Sequence, residues 1–310
     1  MIPIPRPRTA RLRPTLLTVA LILALTGAAG VAACGGTAGG ATGGPTAAGA
    51  ETGATTTATS QETAAPSSSP GAAETTAVRP YFLRGEKLGV AERQVPRTQA
   101  VAAAALTALC EGPAAAEQSA GLSSAVPAGT KLLGVSIEDG VATVDLSGEF
   151  ASGGGSLSMQ ARVAQIVYTV TQFETVKSVD LRLDGKPLAA LGGEGLVLEA
   201  GQTRADWADF EPAIFVERPG VGAVLSNPFV LSGTALVFEG TFMARLTDDS
   251  GRRIVSVPVQ ASAGGPERGD FRNVVPFSTS ASAGALIVYD QSMEDGSRQD
   301  EVRIPITFTP

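Results

Sequence analysis

The residues able to do chemistry in this chain are few, and one side chain is missing altogether. Histidine is absent from all 310 residues. A Ser-His-Asp triad, a Cys-His pair and a His-ligated zinc site are therefore excluded within the chain. Catalysis would have to use carboxylates, a Ser-Lys pair or a metal. Three adjacent acid pairs stand out: Glu138-Asp139, Asp248-Asp249 and Glu294-Asp295. Acid–base work needs convergent groups, whereas neighbours on a strand or turn face apart. Each pair also lies next to or close to a glycine, where Asp is favoured for backbone reasons, so turn formation is the expected role. A surface calcium site on the acidic loops is the remaining metal reading. Asp145, within an apolar strand, and Glu149 after it are expected to face solvent. Gly153-Gly154-Gly155-Ser156 precedes a helix, whose N-terminus can attract an anion. The stretch lacks the Lys of a phosphate loop and the spacing of a dinucleotide fingerprint, so a flexible loop with a Ser156 cap is expected. No catalytic, cofactor-binding or metal-ligating residue follows from these patterns.

Cysteine is nearly absent too, with Cys34 and Cys110 alone. Arg6, Arg8, Arg11 and Arg13 form a basic opening, residues 16–33 are apolar and small, and Val31-Ala32-Ala33-Cys34 follows. That order predicts a lipoprotein signal peptide over residues 1–33, cleaved between Ala33 and Cys34, with a diacylglyceryl group on the Cys34 thiol. Two acyl chains hold a protein on a membrane stably where one does not. The expected location is the extracytoplasmic face of the cell membrane. With Cys34 lipidated, Cys110 has no intrachain partner and reads as a small hydrophobe on a helix.

Four of the 23 basic residues lie in the signal segment and none of the 30 acidic ones. The chain from Cys34 onward thus carries 19 bases against 30 acids, a net charge of −11. Nucleic acid and anionic lipid headgroups are not expected partners, since each needs a basic footprint.

After Cys34, residues 35–77 are Gly, Ala, Thr, Ser and Pro with one glutamine, three glutamates and no aromatic ring, and 34–77 is taken as one segment. Such a segment cannot bury enough apolar surface to offset its ordering entropy, and it reads as a tether with a mean reach of roughly 35 Å. Its Thr and Ser density also suits O-linked sugars.

Folded sequence is expected from Arg79, and the first domain spans 78–200. A short strand over 80–83, a turn at 85–87 and a ragged return over 88–95 come first. Thr98 reads as the N-cap of a helix with Val101, Ala105, Leu106 and Leu109 inward. Gly112-Pro113 stops it, and a loop follows to Gly129. A hairpin pairs 131–137 with 141–146 across Asp139-Gly140, with Leu133, Val135 and Ile137 on one face. A helix over 157–173 turns Met159, Val163, Ile166, Val167 and Val170 inward. A strand over 176–183 ends at Asp184-Gly185. The order β-α-β-β-α-β predicts an α+β fold, a small α/β sandwich with both helices on one sheet face. Residues 192–209 read as a link, and the domain division places the link itself at 201–211. Trp207 and Phe210 there are expected to anchor one domain on the other. From 212 to 310 the helical period disappears. Seven β-rich runs (213–216, 229–238, 242–246, 254–259, 273–277, 285–289 and 301–308) predict an all-β immunoglobulin-like sandwich.

The stretches "YFLRGEKL", "GLSSAVPAGTKLLGVSIEDGVATVDLSGEF" and "GGGSLSMQARVAQIVYTVTQFETVKSVDLRLDGKPL" give residues 80–188 a resemblance to a GerMN domain, the sporulation and germination module. The stretches "SNPFVLSGTALVFEGTF", "ERGDFRNVVPFS" and "VYDQSMEDGS" make residues 212–308 similar to the immunoglobulin-like domain of bacterial spore germination. The order of parts resembles that of actinobacterial lipoproteins. The resemblance implies a fold related to ring-building domains of sporulation machines, which can associate side by side. It brings no catalytic residue and no cofactor. The expected role is non-enzymatic: a scaffold at the cell envelope whose partners are the membrane through Cys34, envelope proteins or further copies of the chain. The alternative is an extracytoplasmic binding protein for a small ligand or cell-wall fragment, held in a cleft between the domains.

Overall fold

The computed structural model describes residues 74–192 and 195–309, which fall within one compact unit. The signal segment, the Ala33–Cys34 cleavage site and nearly all of the tether lie outside the described residues.

The first domain is built in chain order from β1 (Thr75–Val78), β2 (Tyr81–Arg84), β3 (Lys87–Val90), β4 (Arg93–Pro96), α1 (Val101–Cys110), α2 (Ala115–Ser119), β5 (Leu122–Ser123), β6 (Leu132–Glu138), β7 (Val141–Leu146), α3 (Ser156–Thr171), β8 (Ser178–Leu183), β9 (Lys186–Pro187), β10 (Ala190–Leu191) and β11 (Leu196–Val197). Its main sheet runs β6-β7-β8-β9. β6 and β7 form the expected hairpin, with Asp139 and Gly140 both at positive φ, as a tight turn matched to strand twist requires. β7 and β8 are parallel and joined through α3, which packs beside α1. Ala142, Val144, Val179 and Leu181 share one buried face in register.

The first strand does not enter this sheet. β2 instead heads a small sheet of order β3-β2-β5, and β1 pairs with β4, so ordered structure begins at Thr75 rather than at Arg79. The second sheet has a consequence for α3. That helix touches β8 on one side and β2 on another, so Arg162, Gln165 and Thr169 are buried along with its expected apolar face. Their polar groups are satisfied across the contact. Gln165 Nε2 donates to the Tyr81 carbonyl at 3.0 Å, and Thr169 Oγ1 accepts from the Tyr81 amide at 3.0 Å.

Several local expectations are corrected. Thr98 is not the cap of α1. Its Oγ1 accepts from the Ala100 amide in a local turn, and the helix starts two residues later. The loop expected before Gly129 contains α2 and β5. Glu117 of α2 is buried against Arg93 of β4 through two bonds of 2.8 and 2.6 Å. In β6 the register shifts between Leu132 and Gly134, which throws Leu133 outward, 51 % exposed, and brings Leu132 against the core in its place. A bulge of this kind reverses facing, because side chains alternate with a period of two. Ser156 is the first residue of α3, not its cap, which is Gly155.

The loop before α3 is also tied down rather than flexible. The Arg162 guanidinium, only 2 % exposed, donates to the carbonyls of Phe150 (2.6 Å), Ser152 (3.0 Å) and Gly153 (3.0 Å). A buried cation is tolerated where its donors are met by fixed dipoles.

The second domain contains β12 (Ile214–Arg218), β13 (Val224–Leu225), β14 (Phe229–Ala235), β15 (Thr241–Asp248), β16 (Arg253–Gln260), β17 (Gly269–Val275), β18 (Ala283–Gln291) and β19 (Arg298–Phe308). A sheet of order β12-β14-β17 faces one of order β13-β19-β18-β15-β16. Each of the seven expected runs overlaps a strand, although residues 236–238 leave β14 for a 3-10 turn, β17 lies mostly before its expected 273–277, and β13 was not expected. Phe242 meets Phe271 between the sheets with ring centres 4.9 Å apart. The chain is a mixed α+β domain followed by an immunoglobulin-like sandwich. One continuous hydrophobic core runs through both.

Replacing Arg162 by Met would keep most of the side-chain volume and leave the loop carbonyls unpaired. Urea unfolding should show a loss of about 2 kcal/mol. An unchanged midpoint would contradict the clamp.

Candidate functional site

The chemistry-bearing residues converge at the seam between the two domains. The backbone approaches first. The Val221 amide donates to the Val90 carbonyl and the Glu92 amide to the Val221 carbonyl, both at 2.8 Å, so the end of β3 is stitched to the segment after β12. Gly220 permits this, because a Cβ there would lie 2.8 Å from the Ala91 carbonyl carbon.

Behind the stitch, Tyr81 of β2, Tyr168 of α3 and Phe215 of β12 form a ring triad with centres 5.9–6.0 Å apart. All three are at most 1 % exposed. Tilted and edge-on contacts suit the ring quadrupoles. Buried phenols need partners, and each finds a carboxylate. Tyr81 Oη donates to Glu217 Oε1 and Tyr168 Oη to Glu211 Oε1, both at 2.6 Å. Arginines balance the acids. Arg204 bonds Glu217 at 2.7 Å while lying 4.8 Å from the Tyr168 ring centre, and Arg268 bonds Glu211 at 2.9 Å. Thr234 Oγ1 also donates to Glu211 at 3.0 Å. Arg204 and Glu211 belong to the expected link, which is a 3-10 segment, Arg204–Phe210, and the residue after it.

Burial, reinforced by the Glu217 charge, pushes the Tyr81 hydroxyl well above its ordinary range. Burial and the hydrogen bond to Glu211 do the same for Tyr168. Both phenols are thereby held in the protonated form that donates to the two carboxylates.

Beside the joint lies a polar cleft of about 320 Å³, reached by Arg79, Arg204, Glu217, Arg218 and Ser232. Arg79 is half-buried and Arg218 exposed, and neither guanidinium has a carboxylate within ion-pair distance among the described residues. Burial, and then the Arg218 charge, lowers the Arg79 pKa.

The residues singled out from sequence stand elsewhere. Glu138-Asp139 sits on the β6–β7 turn, and Glu294-Asp295 on an exposed turn where Asp295 accepts the Ser297 amide. Asp248 is buried and caps its own turn, accepting from Ser250 and Arg252, while Asp249 is exposed. Among the described residues no group of three His, Cys, Asp or Glu could hold a metal. Asp145 is half-buried and accepts the Gly185 amide, and Glu149 is exposed. Cys110 ends α1, half-buried, and burial raises its thiol pKa to about 11. Trp207 and Phe210 are buried, with Trp207 Nε1 donating to Gln202 Oε1 at 2.9 Å. The site residues Tyr81, Tyr168, Arg204, Glu211, Glu217 and Arg268 escaped sequence reading. One signal was present: the chain has three tyrosines, and two of them lie on the inward side of the first domain's elements.

Comparison with known proteins places these two units. A family model described as sporulation and spore germination matches residues 79–189, and one described as the immunoglobulin-like domain of bacterial spore germination matches residues 213–297. Similar solved structures include the tandem GerMN domains of the sporulation protein GerM from Bacillus subtilis, 21 % identical, with 60 % of each chain covered and a TM-score of 0.39. The first GerMN domain of that protein is 25 % identical over 42 % of this chain and 99 % of that one, TM-score 0.38. A Clostridium perfringens protein described as a candidate lipoprotein is 23 % identical over 44 % of this chain and 93 % of that one, TM-score 0.33. The chain spans 60 % of the length of the tandem GerMN structure. No curated protein matches.

The joint predicts a pH dependence. A phenol whose folded pKa is raised contributes stability that is complete below its unfolded value and is lost as pH rises beyond it. Above about pH 10, stability should therefore fall by an extra ~1.4 kcal/mol per pH unit for each of Tyr81 and Tyr168. Urea unfolding of the wild type against the Tyr81→Phe/Tyr168→Phe double variant isolates that slope. Parallel pH profiles would contradict the burial account.

Proposed function

Because the chain carries a sporulation and spore germination domain followed by the immunoglobulin-like domain of bacterial spore germination, we propose that it is a non-enzymatic scaffold at the cell envelope. A lipid on Cys34 would hold it at the extracytoplasmic face, with the 34–77 tether giving it reach. None of the described helices is long and apolar enough to cross a membrane.

The observation that carries the scaffold reading is the free edge of β6. It is the outermost strand of its sheet, and no strand pairs with its other edge among the described residues. Ile137 is 39 % exposed and Leu133, thrown out by the bulge, 51 %. An unpaired strand edge with apolar side chains is a template for another chain's strand. The bulge limits the flat stretch to residues 134–138, which favours a regulated contact over indiscriminate stacking. The rigid joint keeps that edge at a fixed place relative to the second domain.

A photo-crosslinking residue at Ser136, in the full chain in its native envelope, tests this. Adducts to envelope proteins or to further copies are expected. They should be lost in a Leu133→Lys/Ile137→Lys variant and reduced when Cys34→Ala releases the protein from the membrane. Recovery of uncrosslinked monomer alone at the membrane would overturn the scaffold reading.

A further inference from the structure

We propose that the cleft beside the joint binds a small ligand carrying an oxyanion group, a carboxylate or a phosphate, between Arg79 and Arg218. The charge distribution supports this assignment. The chain is acidic overall, with 30 acids against 23 bases, yet this cleft concentrates three guanidiniums around one carboxylate. That carboxylate is committed: Glu217 Oε1 already takes hydrogen bonds from Tyr81 at 2.6 Å and Arg204 at 2.7 Å. Neighbouring arginines show what the fold does when it needs a structural cation. Arg93 is matched by Glu117, Arg204 by Glu217 and Arg268 by Glu211. Arg79 and Arg218 have no such match among the described residues, although Arg79 is half-buried and the two repel each other across the cleft. Glu92 and Glu217 offset part of the repulsion from a distance but neither pairs with Arg79 or Arg218, so an anion placed between the two guanidiniums relieves the remaining repulsion and meets their free donors.

The remaining lining fits a compact polar ligand. Ser232 of β14 offers a hydroxyl, and the walls carry no aliphatic side chain large enough to hold a hydrocarbon tail. A volume of about 320 Å³ lies at the small end of ligand sites, which suits a single anionic group with its carrier rather than a polymer. Arg79 belongs to the first domain and Arg218 to the second, so the ligand would bridge the seam. The proposal is independent of the β6 edge and stands or falls separately from the scaffold reading.

Isothermal titration of the full chain with inorganic phosphate, and separately with citrate, tests it at constant ionic strength. Saturable binding of either probe is expected, and the preferred probe identifies the source as phosphorylated or carboxylated. Arg218→Gln, which changes an exposed side chain, and Arg79→Gln should each weaken binding by about tenfold or more, through loss of a charge-assisted donor pair. Arg79→Lys should recover part of the loss, because it restores charge without the planar fork. Absence of saturable binding for both probes overturns the proposal. Equal affinity in wild type and both Gln variants does so as well, since the anion would then sit elsewhere.

Discussion

Two buried phenols, each donating to a half-buried carboxylate, hold this molecule in one shape. Tyr81 and Tyr168 come from different elements of the first domain, and Glu211 and Glu217 flank the start of the second. Burying a carboxylate costs free energy unless it is fully bonded, and here each acid also receives an arginine. Removing one member takes a partner from its neighbours in a half-buried seam, which couples the members to one another. The ring triad supplies the apolar contact, and the backbone stitch at Val221 fixes the distance. A boundary that could have been a hinge is therefore a joint.

Much of the architecture was legible from sequence because it is local. Asp139-Gly140 and Asp184-Gly185 announce their hairpin turns, and both pairs have positive φ. The seven β-runs of the second domain are marked by their β-rich composition and by Gly, Pro or Asp turn signals between them. The apolar stripe of α3 identified the side packed on the main sheet. Its other buried side stayed hidden, since Arg162, Gln165 and Thr169 are polar and a polar helix position ordinarily means solvent. Their partners show why. The bond from Gln165 reaches Tyr81, 84 residues away, and Thr169 meets it across 88. No local pattern encodes a contact of that range. The site was illegible for the same reason: its six residues are ordinary in their own neighbourhoods and become a network only when the link folds back between the domains.

The joint also relates the two proposed binding surfaces. The free edge of β6 lies on the main sheet of the first domain, and the arginine cleft lies on the seam. A partner strand pairing along β6 would meet a body of fixed shape, and an anion between Arg79 and Arg218 would tighten that body without creating it. Rigid elements position a binding surface more accurately than loops do. Asp248 and Asp295, which stood out in sequence as members of acid pairs, instead cap their own turns.

The central claim is that the two domains fold and unfold as one body. Differential scanning calorimetry of the full chain at neutral pH addresses it directly. The account predicts one cooperative transition whose calorimetric and van't Hoff enthalpies agree, separating into two when Glu211→Ala and Glu217→Ala are combined. Two independent transitions in the wild type would contradict it, because the seam would then be an ordinary contact between separately stable domains.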